Sequence, residues 1–292
     1  MILSPHGLRH ITAAAIFLSA PVAMAASNLF SYDATYSVQL ARASLSTGPR
    51  AASGVLDYRF TESCNGWQTR TSVSLDLTFR DGSMITNKRD FTSLESKDGR
   101  DYTFAARTIK GDVPVEAFRG TAKMPMRGGG TVVYEVPAED PAGKPRKVTI
   151  SLPAGTLLPV RHALALLSRA EKGERQFRSL VFNGASSVGP RAMSTVIGPP
   201  LASTAPNGSP EPSDIDAGLL AVPAWDLNLA YYNLFERRDT PNFEVFQRYY
   251  SSGITPAFEQ QFDDFTIRAD LDRLQRINPE SCPEPEAKEK SG

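Results

Sequence analysis

GVLDYRF (54–60) and TRTSVSLDLTF (69–79) decide how this chain folds. Leu56, Tyr58 and Phe60 alternate with Asp57 and Arg59, and Val73, Leu75 and Leu77 alternate with Ser72, Ser74 and Asp76. A period of two is that of a strand with one buried and one wet face. The same alternation runs through TYSVQL (35–40), ITNKRDFTSL (85–94), DYTFAARTI (101–109), VEAFRGTAKM (115–124), TVVYEVP (131–137) and KVTISLP (147–153). Turn-forming pieces separate these runs: RDGS, SKDGR, KGD, MRGGG and AEDPAGKP. Connections this short cannot hold crossover helices, so the strands are expected to pair antiparallel as hairpins and meanders.

One stretch breaks the pattern. LPAGTLLPVRHALALLSRAEKGE (152–174) carries Val160, Ala163, Leu164, Leu167 and Ala170 at helical spacing, with Leu166 at the edge of the stripe. Pro159 suits a first helical turn, Arg169 and Lys172 suit the C-terminal end, and Gly173 can close the helix. Alternation resumes in RQFRSLVFNG (175–184) and AMSTVIG (192–198). Residues 199–216, PPLASTAPNGSPEPSDID, read as a long exposed loop. After it come AWDLNLAYYNLF (224–235), NFEVFQRYY (242–250), TPAFEQQF (255–262) and FTIRADLDRLQRI (265–277). No fixed-period repeat is present. The expectation is a mainly β single domain with one amphipathic helix packed on the sheet.

The N-terminus reads as a secretory signal. Arg9 precedes the apolar run ITAAAIFLSA (11–20), Pro21 breaks it, and Ala23-Met24-Ala25 offers a small-x-small cleavage site. The run is about half of what a bilayer span requires, so no transmembrane anchor is expected. Cleavage after residue 25 leaves a periplasmic chain of 267 residues, with the domain over 26–283 and a disordered tail over 284–292. It also removes one arginine and no acid, leaving 31 basic against 32 acidic residues. So balanced a chain has no electrostatic footprint for nucleic acid.

Cys64 and Cys282 both lie in the exported part, and an even count in an oxidising compartment favours a disulfide between them. Their spacing fits neither a zinc site nor a CxxC motif. His6 and His10 fall in the signal, so His162 is the one imidazole left, too few for a metal site. Its position near the stripe's edge suits packing, with a ligand-facing or pH-sensing role as the alternative. GASSVG (184–189) has one residue too many for GxSxG, no SxxK occurs, GGGT (128–131) does not complete GxGxxG, and no GxxxxGK[ST] exists. No catalytic, cofactor or metal residue is assigned. Two alternatives stay open: a carboxylate pair drawn from Asp57, Asp90, Asp263 and Asp264, and an aromatic ligand surface from Trp67, Trp225, Tyr231, Tyr232 and Tyr249.

The 152–174 stretch fits LPxGTLxPxxHxxxLLxxAxxGE and resembles the hallmark region of the cell-envelope integrity protein B family, periplasmic proteins long known only as a domain of unknown function. LARAS (40–44), GVLDYRF, CNGW (64–67) and GDVPVEAFRGTA (111–122) agree in order, and the likeness runs from about residue 30 to 283. Asn183-Gly184, where the family suggests Asp-Gly, and the long 199–216 loop depart from it. The resemblance implies an antiparallel sheet curled into a broken barrel or β-spiral, a Cys64–Cys282 bridge, and a structural role for Pro159, His162, Leu166, Leu167, Gly173 and Glu174. It also implies envelope maintenance rather than a known reaction; with no reactive cluster in the sequence, the expectation is that this works through binding a periplasmic protein or envelope component. Fold-level analogy to lipoprotein carriers makes a lipid the alternative ligand.

Overall fold

The computed structural model describes residues 29–138, 143–185, 189–202, 214–234, 239–279 and 282. The signal segment 1–25, the tail beyond Cys282, residues 203–213 of the Pro-rich stretch and the middle of GASSVG lie outside them.

The chain runs through β1 (Tyr32–Ala43), β2 (Ala51–Glu62), β3 (Gly66–Thr78), β4 (Met84–Ser96), β5 (Asp101–Lys110), β6 (Val113–Lys123), β7 (Gly130–Val136), β8 (Arg146–Leu152), β9 (Thr156–Leu157) and α1 (Pro159–Glu171). It continues through β10 (Gln176–Val181), β11 (Arg191–Leu201), a 3-10 turn at Ala217–Leu219, β12 (Ala224–Asn233), β13 (Phe243–Tyr250), β14 (Ala257–Gln261) and β15 (Phe265–Arg276). All fifteen strands form one sheet in the order β8-β7-β6-β5-β4-β3-β2-β1-β15-β14-β13-β12-β11-β10-β9. Two meanders are thus joined where β1 pairs β15, Tyr32 opposite Arg276 and Ala43 opposite Phe265.

Such a sheet has no second layer to cover its inner face, so it must curl upon itself. Phe104 of β5 lies 5.6 Å from Phe182, just past β10, although the two strands stand far apart in the sheet order. The two edges, β8 and β9, are joined by Pro153-Ala154-Gly155 alone, which leaves the barrel with one open seam. The antiparallel expectation fails at one place. β9 pairs β10 in parallel, Thr156 opposite Leu180, because α1 is long enough to serve as the crossover that parallel strands need.

The helix lies inside the curl. Its lead-in residue Leu158 packs with Tyr102, Phe104, Tyr134 and Phe182; Val160 packs with Tyr32, Tyr36 and Phe60; Leu166, Leu167 and Ala170 pack with Phe177, Ile197, Trp225 and Leu229. One short segment thereby joins three apolar cores. Its buried face is Val160, His162, Leu166, Leu167 and Ala170. That face is rotated from the expected stripe: Ala163 and Leu164 stand half-buried at its margin, while Leu166 and His162 point inward.

The Pro-rich stretch also differs from expectation at both ends. Pro199 and Pro200 belong to β11, tolerated at a register shift between Ile197 and Pro200. At its far end Ile215 bridges Leu274, and Asp216 caps the 3-10 turn through the amide of Gly218. The Asn183-Gly184 turn works without an aspartate. The Asn183 side-chain oxygen accepts from the amide of Ala185 at 3.0 Å. Gly184 has φ 65°, and a Cβ there would lie 2.6 Å from Phe104.

Cys64 and Cys282 are bonded, with 5.4 Å between their Cα atoms and 218 residues between them in sequence. The bridge ties the chain beyond β15 to the β2–β3 turn. Cys64→Ser or Cys282→Ser should lower stability by up to about 5 kcal/mol, the loop-entropy figure for so long a closure. Thermal melts and loss of the mobility difference between reduced and non-reduced gels check this; an unchanged melting temperature would refute it.

Candidate functional site: the barrel interior beneath the helix

The 152–174 motif builds the entry of the helix into the interior. Gly155 turns the chain at φ 83°, and the amide and hydroxyl of Thr156 both donate to the carbonyl of Pro153. Leu157 accepts from the amide of Phe182, which anchors β9. Leu158 stands at the N-cap with no side-chain oxygen to offer, and Pro159 follows it in the first turn. The cap comes instead from β4. Glu95, 1% exposed, accepts from the amides of Val160 at 2.7 Å and Arg161 at 3.0 Å. Burial outweighs the lowering effect of the two amides and the charge of Arg161 and leaves its carboxyl raised to about 7.

His162 lies one turn further in, its ring stacked on Phe177 at 5.5 Å and 8°. Burial alone drives the imidazole down to about 4, so it is neutral at pH 7. Phe177 also carries the guanidinium of Arg169, 4.5 Å from its centroid, and Arg169 in turn pairs with Glu174 at 2.5 Å. Gly173, at φ 77°, lets the helix end so that the Glu174 amide reaches the carbonyl of Arg169. The residues of the motif are therefore held in one contact system around the helix.

A set of tyrosines lines the rest of the interior. Tyr32 and Tyr58 approach to 5.6 Å, and the hydroxyl of Tyr36 donates to the carbonyl of Thr255. Burial raises the phenols of Tyr32, Tyr36, Tyr58 and Tyr249, and it takes Tyr231 to about 12. Tyr58 of β2 and Tyr249 of β13 face the same interior from strands four apart in the sheet order. Tyr58, Tyr231 and Tyr249 point inward yet are only half-buried.

The aromatic candidates thus divide. Tyr231 stacks on Phe243 at 4.4 Å, and Tyr249 stands opposite Trp225 further along the same strand pair, both on the inner face. Trp225 is 3% exposed within the core around α1. Trp67 lies half-buried under Lys97, whose ammonium is 4.5 Å from its ring. Tyr232 faces outward, beside Leu180 and Ala192. The four acids do not converge. Asp57 and Asp90 lie on the exposed outer face, two strands and roughly 10 Å apart, flanking Ser72. Asp57 accepts from Thr35, Asp90 from Ser72 and Asp264 from Thr47. Asp263 and Asp264 stand at the distant β14–β15 turn. Among the described residues no group of three or more His, Cys, Asp or Glu side chains converges as a metal site would require.

Glu95 escaped sequence reasoning. It shares the inward parity of Phe91 and Ser93 in β4, so the available signal was a lone acid on the apolar side of a strand.

A sheet curled around one internal helix, with a tyrosine-lined interior and no helix long and apolar enough to cross a membrane among the described residues, defines a barrel-like protein built around its own interior. The EipB-like family model matches residues 23–278, and the chain belongs to that family. It is 26% identical over 260 residues to the cell envelope integrity protein EipB of Brucella abortus (strain 2308), covering 88% of each chain. In fold it resembles the crystal structure of a beta-barrel-like protein of the domain of unknown function DUF1849 from Brucella abortus, at TM-score 0.74 and 24% identity over 86% of this chain and 99% of that one.

Glu95 and His162 oppose each other in their pH dependence. Glu95 has a higher pKa folded than unfolded, so its contribution falls as pH rises from about 4.5 to about 7. His162 has a lower pKa folded than unfolded, so its contribution rises from about pH 4 to about 6.5. Relative to wild type, Glu95→Gln should gain in melting temperature as pH rises through this window, and His162→Phe should lose. Melts between pH 4.5 and 7 check both; parallel curves for all three proteins would refute the assignment.

Proposed function

We propose that the protein is a non-enzymatic periplasmic protein that maintains cell-envelope integrity by binding a protein or an envelope component. The observation that carries this reading is the shared chain: 88% of it aligns with 88% of a relative named for cell-envelope integrity. The export signal read in residues 1–25 supports the compartment.

The chemistry of the interior supports binding over catalysis. Strongly perturbed acid–base groups are where catalytic function is sought, and here the carboxyl and imidazole so shifted are Glu95 and His162. Both oxygens of Glu95 are engaged by backbone amides, and the ring face of His162 is stacked on Phe177. These groups serve the architecture. The acids that remain offer no such pair in the interior: Asp57 and Asp90 stand on the open outer face, each bonded to a neighbouring hydroxyl, and Asp263 and Asp264 lie at a turn.

A second reading, a lipid or lipoprotein carrier, is favoured by one observation: Tyr58, Tyr231 and Tyr249 face inward yet keep accessible surface. Native mass spectrometry of protein purified gently from its own periplasm separates the readings. A bare mass or an attached second protein supports the first, and a bound lipid or acylated peptide supports the carrier.

In a strain lacking the gene, complementation by Asp57→Asn, Asp90→Asn, Asp263→Asn and Asp264→Asn variants should match wild type under detergent stress. Loss of complementation by a variant that folds and accumulates normally would overturn the non-enzymatic reading.

A further inference from the structure

The outer face of the sheet is not uniform. On β2, β4 and β6 its outward positions carry charge, as at Asp57, Arg59, Asp90 and Arg119. Along β11 they are Ala192, Ser194, Val196 and Gly198, uncharged throughout, while Met193, Thr195 and Ile197 turn inward and are buried. Two grooves open on this face, one after the other. The first, of about 540 Å³, includes Leu180, Ala192, Ser194 and Tyr232. The second, of about 550 Å³, includes Val196, Gly198, Asn228 and Phe246. The outward positions of β11 lead from one into the other, from Ala192 to Gly198, along roughly 20 Å of strand.

Each groove has one aromatic wall. Tyr232 of β12 stands opposite Ala192, and Phe246 of β13, 37% exposed, stands opposite Asn228. The register sets the two rings roughly 13 Å apart along the strands. Between them, one row of the sheet places Arg178, Ser194, Ala230 and Glu244 side by side on successive strands. The backbones of Arg178 and Glu244 are thus held roughly 14 Å apart. Neither side chain has a hydrogen-bond or ion-pair partner among the described residues. Other charges at the rim are matched, Asp226 with Arg248 at 2.9 Å and Glu259 with Arg268 at 3.5 Å. In the floor, the side-chain oxygen of Asn228 is buried without a donor.

These features specify an occupant. β11, β12 and β13 are paired on both sides, so no backbone edge is on offer and a peptide cannot add here as a strand. Opposite charges on the two walls favour a ligand with no net charge between them. Rings set apart along an open trough match flat apolar faces repeated along a chain. A guanidinium, a hydroxyl, a carboxamide and a carboxylate match a ligand rich in both donors and acceptors. A pyranose chain combines the two, with C–H faces for the rings and hydroxyls at its edges.

We propose that the outer trough over β11 and β12 binds an extended, uncharged glycan chain. Its sugar faces lie against Tyr232 and Phe246, and its hydroxyls meet Arg178, Ser194, Asn228 and Glu244. The proposal rests on the binding function proposed above and names the envelope component as a polysaccharide.

The probe is chitohexaose, an uncharged chain of N-acetylglucosamine, titrated calorimetrically into the oxidised protein beside an oligogalacturonate of the same length. The uncharged chain should bind and the uronate should not. Tyr232→Ala and Phe246→Ala should each weaken binding about five- to tenfold, the cost of removing an aromatic anchor from an interface. Arg178→Gln changes an exposed side chain and should weaken it about two- to tenfold, the scale of one hydrogen bond, with unaltered melting temperature. Ser194→Trp, which fills the floor, should abolish it. Absence of binding, equal binding of the uronate, or an affinity that survives Ser194→Trp would overturn the proposal. So would an extended peptide that occupies this face when the sugar does not, which would assign the trough to a protein partner. If chitohexaose fails to bind while the carboxylate variants still complement, the glycan is refuted and the wider binding function stands.

Discussion

Everything in this architecture hangs on a helix end placed where water cannot reach it. The first amides of a helix have no partner within it, and leaving buried donors unpaired costs about 1–3 kcal/mol each. The motif places Leu158 and Pro159 at that end, neither of which can cap it. A carboxylate from β4 crosses the interior to do so, and the two bonds from Val160 and Arg161 fix the depth and direction of α1. With the helix so placed, Leu158, Val160 and the Leu166–Leu167 pair each fall into a different core. The cap is thus also the register of the barrel: it locks β4 to the one segment that touches all its interior regions.

This dependence gives a physical account of the hallmark sequence. Pro153 and Gly155 form the turn, Thr156 secures it, Pro159 sets the helix start, and His162 presents a flat ring to Phe177. Gly173 and Glu174 end the helix and tie Arg169 over the same Phe177. A histidine so placed contributes an aromatic face and sheds its charge.

Most strands could be read directly from alternation, because one face of each is wet and the other is not. The antiparallel pairing could be read as well, since the turns are too short for any other. The helix was legible as a helix but not in its rotation, because a polar imidazole is not counted as apolar although it packs as one. β9 was invisible: two residues carry no period. The joining of β1 to β15 left only an indirect sign in the cysteines, and the open seam left none. Pro199 and Pro200 misled because prolines are read as breaks, whereas β11 absorbs them at a register shift. Glu95 shows the sharper limit. An acid on the apolar side of a strand reads as noise until the helix that needs it is in place.

The pairing of the first strand with the last has a consequence for how the protein comes into being. β1 can form its hairpin with β2 as soon as both are available, but its other edge stays bare until β15 arrives, more than 200 residues later in the chain. Contacts of such separation form late and slowly, because the entropy of closing the loop must be met before any contact repays it. A chain delivered from its N-terminus therefore commits to its shape only when the C-terminal strand is released. Until then the bridge of Cys64 has no partner, and early oxidation with a foreign thiol is the hazard that its distance from Cys282 creates.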